Sequence, residues 1–296
     1  MEALNYDRPL DLNLYSPTRD SPREPVDPSP RLNSLTPEET NNFISRCADA
    51  FLSYMERLHH KLIVLVNIDQ RKVLALRASE SSRYRPRGRR KIMRMIRRKL
   101  RLWKADHGVL LTLTVAEFDA NSRRYQGMGQ LHAWKMINEK GREFCDELNK
   151  WRKRNGKKEI KAYAKVLEEQ PGRHYPHLHI YYPGLYFLAP KEVISRLWPY
   201  GITNVEQTFR TSPAEYIIKY LSKMDDNQFM NTMLWTFKLR MYSTSRGLKY
   251  GPDIRTDTGW RFSPPSENMT TEEVFAWWIN EGYSDVGQDL TLPRGS

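Results

Sequence analysis

The chain has 296 residues, with 48 Lys or Arg against 35 Asp or Glu, for a net charge of +13. Hydrophobic residues make up 39%, enough for a core, yet no apolar run approaches the ~18 residues that a membrane helix needs. The two cysteines, Cys47 and Cys145, lie far apart in the chain, which excludes a disulfide scaffold and a multi-cysteine zinc site. The excess charge points to a polyanionic partner.

Residues 1–37 hold seven of the eighteen prolines with no apolar period, and are expected to form a disordered arm. Thr36-Pro37-Glu38-Glu39 is a helix-start signal, with a capping hydroxyl, a proline in the first turn and a glutamate three residues after the cap. Phe43, Cys47, Phe51, Tyr54 and Leu58 continue it as one face. Leu62-Ile63-Val64-Leu65-Val66 reads equally as strand or helix.

Residues 83–104 carry twelve Lys or Arg and no acid, so one short segment holds nearly the whole excess charge. From Lys91 it has helical spacing, with Ile92, Ile96, Leu100 and Trp103 as a narrow apolar stripe. Arg89, Arg90, Arg94, Arg97, Arg98 and Arg101 are the expected phosphate contacts. The 38–104 region is thus expected to be a helical, basic extension.

Beyond it the period changes to two. Leu110-Leu111-Thr112-Leu113-Thr114-Val115 alternates as a strand, with both threonines on one face. Residues 129–153 read as a helix whose core positions are Trp134, Ile137, Phe144, Leu148 and Trp151. Strands follow at 160–168, 177–182 and 203–209, with a short helix at 190–197 and another from Ser212 through Lys223. The Pro171-Gly172 turn is hairpin-short, so antiparallel pairing is expected. The fold class is α+β: a central antiparallel sheet flanked by helices.

Three features carry chemistry. His177 and His179 share one face of a strand, about 7 Å apart at Cα, and can converge on a cation. Glu168 closes the preceding strand and the hairpin brings it beside them, whereas Glu169 faces the other way if the strand persists. Imidazoles with a hard carboxylate suit Mg²⁺ or Mn²⁺ in phosphate chemistry better than a closed zinc site. His174 falls in the turn and is expected to meet solvent or phosphate. Finally, Tyr216, Lys219, Tyr220 and Lys223 fall on one helical stripe, where the ammonium groups favour phenolate.

A Leu-Thr-Leu-Thr strand, a His-apolar-His strand and a Tyr-x-x-Lys helix, in that order over residues 105–250, resemble the HUH endonucleases. The likeness is to the two-tyrosine rolling-circle replication initiators of phages, archaeal viruses and plasmids. Met241 to Leu248 also resembles a segment that follows the tyrosine helix in such proteins. The resemblance implies a ferredoxin- or RRM-like nicking domain in which His177, His179 and an upstream acid, Glu168, hold Mg²⁺ or Mn²⁺. Tyr216 or Tyr220 would attack the origin strand, with the adjacent lysines assisting. It implies a single-stranded DNA origin, a host helicase and polymerase, no membrane, and action in the host cytoplasm. The chain has no Gly-x-x-x-x-Gly-Lys-Ser/Thr loop for an ATP-driven helicase of its own. Residues 251–296 are expected to form a C-terminal helix and tail. A transposase or relaxase using the same site, or a non-catalytic basic nucleic-acid-binding protein, would share these features.

Overall fold

The computed structural model describes residues 32, 35–85, 88–90, 92–94, 96–97, 107–118, 125–170, 172–209, 227–245, 260–263 and 269–285. The chain forms two compact units. One gathers Leu52–Gly88 and Pro252–Ser296, and the other gathers Pro25–Phe51 and Arg89–Gly251.

Helix α1 (Pro37–His60) starts where the capping signal places it. Thr36 donates its N–H to Glu39 Oε2 at 2.7 Å, and Glu39 returns an N–H to Thr36 Oγ1 at 3.2 Å, satisfying two of the orphan donors of the first turn. The ambiguous apolar run after it is a strand. β1 (Leu62–Asn67) and β2 (Lys72–Arg77) form a hairpin whose turn is fixed by Asn67 Oδ1 accepting from the Gln70 N–H at 3.0 Å. A short helix, α2 (Ala78–Ser81), follows.

The hairpin is completed by late segments of the chain. β8 (Trp260–Ser263) pairs antiparallel with β1, and β9 (Ser284–Asp285) pairs parallel with β2, giving the order β8-β1-β2-β9. Helix α6 (Thr271–Asn280), opened by a Thr270–Glu273 capping box, packs Val274 and Trp278 on Val64, Val66 and Val73. On the other face Ile63, Leu65 and Leu74 pack with Ala78 and Trp260.

The second unit is built on a five-stranded antiparallel sheet of order β6-β3-β5-β4-β7. Its strands are β3 (His107–Thr114), β4 (Ala164–Glu169), β5 (Pro176–Pro183), β6 (Thr203–Phe209) and β7 (Tyr242–Thr244). Helix α3 (Gln130–Arg154) lies on one face, burying Trp134, Ile137, Phe144 and Leu148. The approach is close: a Cβ at Gly141 would fall 2.3 Å from the Leu178 side chain, so no larger residue fits there. Leu113, Leu111, Leu178, Ile180 and Tyr182 fill this covered face. Helices α4 (Lys191–Leu197) and α5 (Gln228–Thr236) complete the unit, with Phe237 and Trp235 meeting Phe43 and Phe51 of α1. Among the described residues no helix is long and apolar enough to cross a membrane.

Candidate active site

Strand register assembles the site. His179 lies opposite Thr112 on one side and Val166 on the other, and His177 lies opposite Thr114 and Glu168. Directly paired residues share a face, so Thr112, Thr114, His177, His179 and Glu168 all stand on the face away from α3. The apolar alternates go under the helix, which pins this register: a slip of one residue would bury the imidazoles.

His179 is buried, at 4% exposure, and fully engaged. Its Nε2 donates to Glu168 Oε2 at 2.8 Å, and its Nδ1 pairs with Thr112 Oγ1 at 3.0 Å. With the hydrogen on Nε2, Nδ1 accepts from the threonine hydroxyl, so both partners agree on one tautomer. The rings of His177 and His179 lie 6.1 Å apart. His177 Nε2 is buried with no hydrogen-bond partner among the described residues. Burial, then the neighbouring His179, push the His177 pKa down to about 4, against the opposing pull of Glu168. His177 is therefore a neutral imidazole at pH 7 with an unpartnered ring nitrogen, which is the state a metal ligand requires.

The two neighbouring acids separate. Glu168 joins the histidine face. Glu169 is buried on the opposite pleat, where its carboxylate accepts from Asn227 Nδ2 and pairs with His174 Nδ1. His174 sits in the β4–β5 turn at φ 59°, with its ring against Phe229 and its carbonyl accepting from Trp134 Nε1 at 2.8 Å. Its side chain is exposed but is directed by Glu169 and not by the histidine pair.

The donors Glu168, His179 and His177 fit a divalent cation by chemistry, and the unpartnered His177 nitrogen argues for one. Among the described residues, however, no three His, Cys, Asp or Glu side chains are already gathered as a ready ligand cage. The hydrogen bond from His179 Nε2 to Glu168 accounts for this, since it occupies a donor atom of each residue.

The arginines divide. The described residues from 88 to 97 are helical, with Arg90 and Arg94 exposed and Arg97 half-buried. Arg89 corrects the expectation of a phosphate contact. It is 1% exposed, and its Nη2 donates to Asn231 Oδ1 at 2.7 Å inside the second unit, so this guanidinium is a core hydrogen-bond donor. Arg98, Arg101, Tyr216, Lys219, Tyr220 and Lys223 lie outside the described residues. Sequence reasoning did not pick out Thr112 as the partner of His179, or Asn227 and Phe229 as the frame of His174. The strand alternation at Thr112 was the available signal for the first. The other two depend on a segment far along the chain.

Residues 108–225 match the model of a family of replication-associated proteins, the ORF2 type. No curated protein and no solved structure matches the chain. The match spans β3 through β6, the strands that carry the histidine face, and it supports a replication initiator and hence a DNA-binding protein.

Proposed function

We propose that the chain initiates rolling-circle replication by nicking single-stranded origin DNA. Tyr216 or Tyr220 attacks the scissile phosphorus, the P–O3′ bond breaks, and the strand leaves as a free 3′-OH for a polymerase. The 5′-phosphate stays on the tyrosine. The other tyrosine cuts after one round of synthesis, and the released 3′-OH rejoins the held end. Lys219 and Lys223 favour phenolate at the attacking oxygen. His177, His179 and Glu168 would hold Mg²⁺ or Mn²⁺, which when bound makes the phosphate more electrophilic. Thr112 and Glu168 keep the His179 ring oriented on the site face. Arg90 and Arg94, with Arg97, Arg98 and Arg101, hold the strand by its phosphates. A host helicase opens the duplex.

The observation that supports this reading most is the neutral, unpartnered His177 nitrogen beside the His179–Glu168 pair, inside the segment matched by the replication-associated family. The test is incubation with single-stranded origin candidates and Mn²⁺. A nick whose 3′-OH a polymerase extends, lost on adding EDTA, is the expected result. A protein that shifts DNA in a gel yet never cuts it is a binding module.

A further inference from the structure

The end of the five-stranded sheet farthest from the histidine pair carries exposed aromatic rings. His177 opens β5 and Gly184 follows its last residue, so the two ends are roughly 20 Å apart by strand rise. There Tyr186 and Phe187, in the loop between β5 and α4, are 60% and 49% exposed. The loop is held in place. Tyr186 stacks on His107 with ring centroids 3.9 Å apart, and its carbonyl accepts from Gln207 Nε2 at 2.9 Å. Two adjacent large rings kept in water on a braced loop call for a ligand.

A second observation meets the first at the same place. Residues 150–161 read KWRKRNGKKEIK, seven basic residues with Glu159 as the single acid. Arg152, Lys153 and Arg154 complement the carboxyl end of α3 and need no ligand to explain them. Lys157, Lys158 and Lys161 lie beyond the helix and are exposed, so the dipole does not account for them. Arg152 joins the two features: its Nε donates to the Lys158 carbonyl at 2.8 Å and its Nη1 to the Phe187 and Leu188 carbonyls at 2.8 and 2.6 Å. One buried guanidinium thus fixes the basic loop against the aromatic loop.

We propose that this end of the sheet is a second binding surface for single-stranded polynucleotide. Tyr186 and Phe187 stack on bases, and Lys153, Arg154, Lys157 and Lys158 contact phosphates. Stacking selects single strands, because a duplex keeps its base faces covered, and it tolerates any sequence. A strand cut at the histidine face would then stay attached to the protein at a distant point between the two cuts. This rests on the reading of the chain as a single-strand-binding initiator, but not on its catalysis.

The test is fluorescence anisotropy of a labelled oligothymidylate of about 25 nucleotides with the full chain in EDTA, where failure to nick has no bearing. Tyr186→Ala with Phe187→Ala should weaken binding at least about five-fold, the lower end for losing one stacked base. Tyr186→Trp, which keeps a ring, should bind like the parent. Lys153→Gln, Arg154→Gln, Lys157→Gln and Lys158→Gln together should flatten the salt dependence by about 0.7 in log K against log salt for each phosphate no longer neutralised. The quadruple variant changes only exposed residues, so it reads the surface even if the aromatic pair proves needed for folding. A smaller aromatic loss in a folded variant, a Tyr186→Trp as weak as alanine, or an unchanged salt slope would each overturn the proposal.

Discussion

In the four-stranded sheet both faces are apolar: Ile63, Leu65 and Leu74 pack on one side, and Val64, Val66 and Val73 on the other under Trp278. In the five-stranded sheet only one face is apolar, under α3, and the other carries Thr112, Thr114, His177, His179 and Glu168. A sheet buried on both sides can do little but hold its unit together. A sheet with one polar face can present donors to a substrate. The contrast assigns stability to one and chemistry to the other.

The sharpest way to break that contrast is to remove the donors. His177→Ala and His179→Ala should each lower metal-dependent cleavage about 10²-fold or more while leaving thermal unfolding close to the parent, because the apolar core under α3 is untouched. A variant that unfolds instead would make the histidines part of the core. Trp278→Ala in the four-stranded sheet should do the reverse. Losing a buried indole and its 3.0 Å hydrogen bond to Ser263 should cost about 3–5 kcal/mol in denaturant unfolding of that unit. Cleavage per folded molecule should be unchanged.

Arg89 sharpens the comparison from within the basic segment. Arg89→Gln should cost about 1–3 kcal/mol, because the bonds its guanidinium makes in the core, that to Asn231 among them, are lost. The salt slope of DNA binding should stay as it was. Arg90→Gln with Arg94→Gln should do the opposite, flattening the slope by about 0.7 for each phosphate released, with little effect on stability. Equal slopes for both variants would mean that Arg89 does reach phosphate.

The smallest effect is that of pH on the metal-free protein. The folded pKa of His177 is about 4, against an ordinary 6.5, so between these values the unfolded chain binds more protons than the folded one. Its contribution to stability is full above pH 6.5 and is lost as pH falls towards 4. Melting curves across this window should fall by a few degrees, and His177→Gln should flatten that part of the profile. An unchanged profile would mean that His177 is not held neutral.

Much of this was legible in the residues, and the exceptions have physical reasons. The Thr36–Glu39 capping box and the Leu-Thr-Leu-Thr alternation could be read directly, since each is local and each has one wet side. The Leu62–Val66 run could not be assigned, because a strand covered on both faces shows no period of two. Its sheet partners β8 and β9 are four and two residues long and come from the far end of the chain, where no local pattern announces them. At the site, placing His177, His179 and Glu168 on one face needed only strand period and a hairpin. The hydrogen bond between Thr112 and His179 needed the register of β3 against β5, which alternation alone does not supply. Arg89 is misleading because it stands in a run of arginines. Yet it lies three and seven residues before Ile92 and Ile96, on the apolar stripe of its own helix, and Ile96 is 1% exposed. Spacing, and not charge, held the signal.

A nicking initiator of the kind proposed must at one stage carry DNA covalently on a tyrosine. The direct measurement is a denaturing gel of the protein incubated with labelled single-stranded origin DNA and Mn²⁺, followed by mass spectrometry of the attached peptide. The expected product is a 5′-phosphotyrosine at Tyr216 or Tyr220, retained in part by Tyr216→Phe or Tyr220→Phe alone and absent from the double variant. A covalent adduct that persists in the double variant, or attachment at any other residue, would contradict tyrosine attack from this helix.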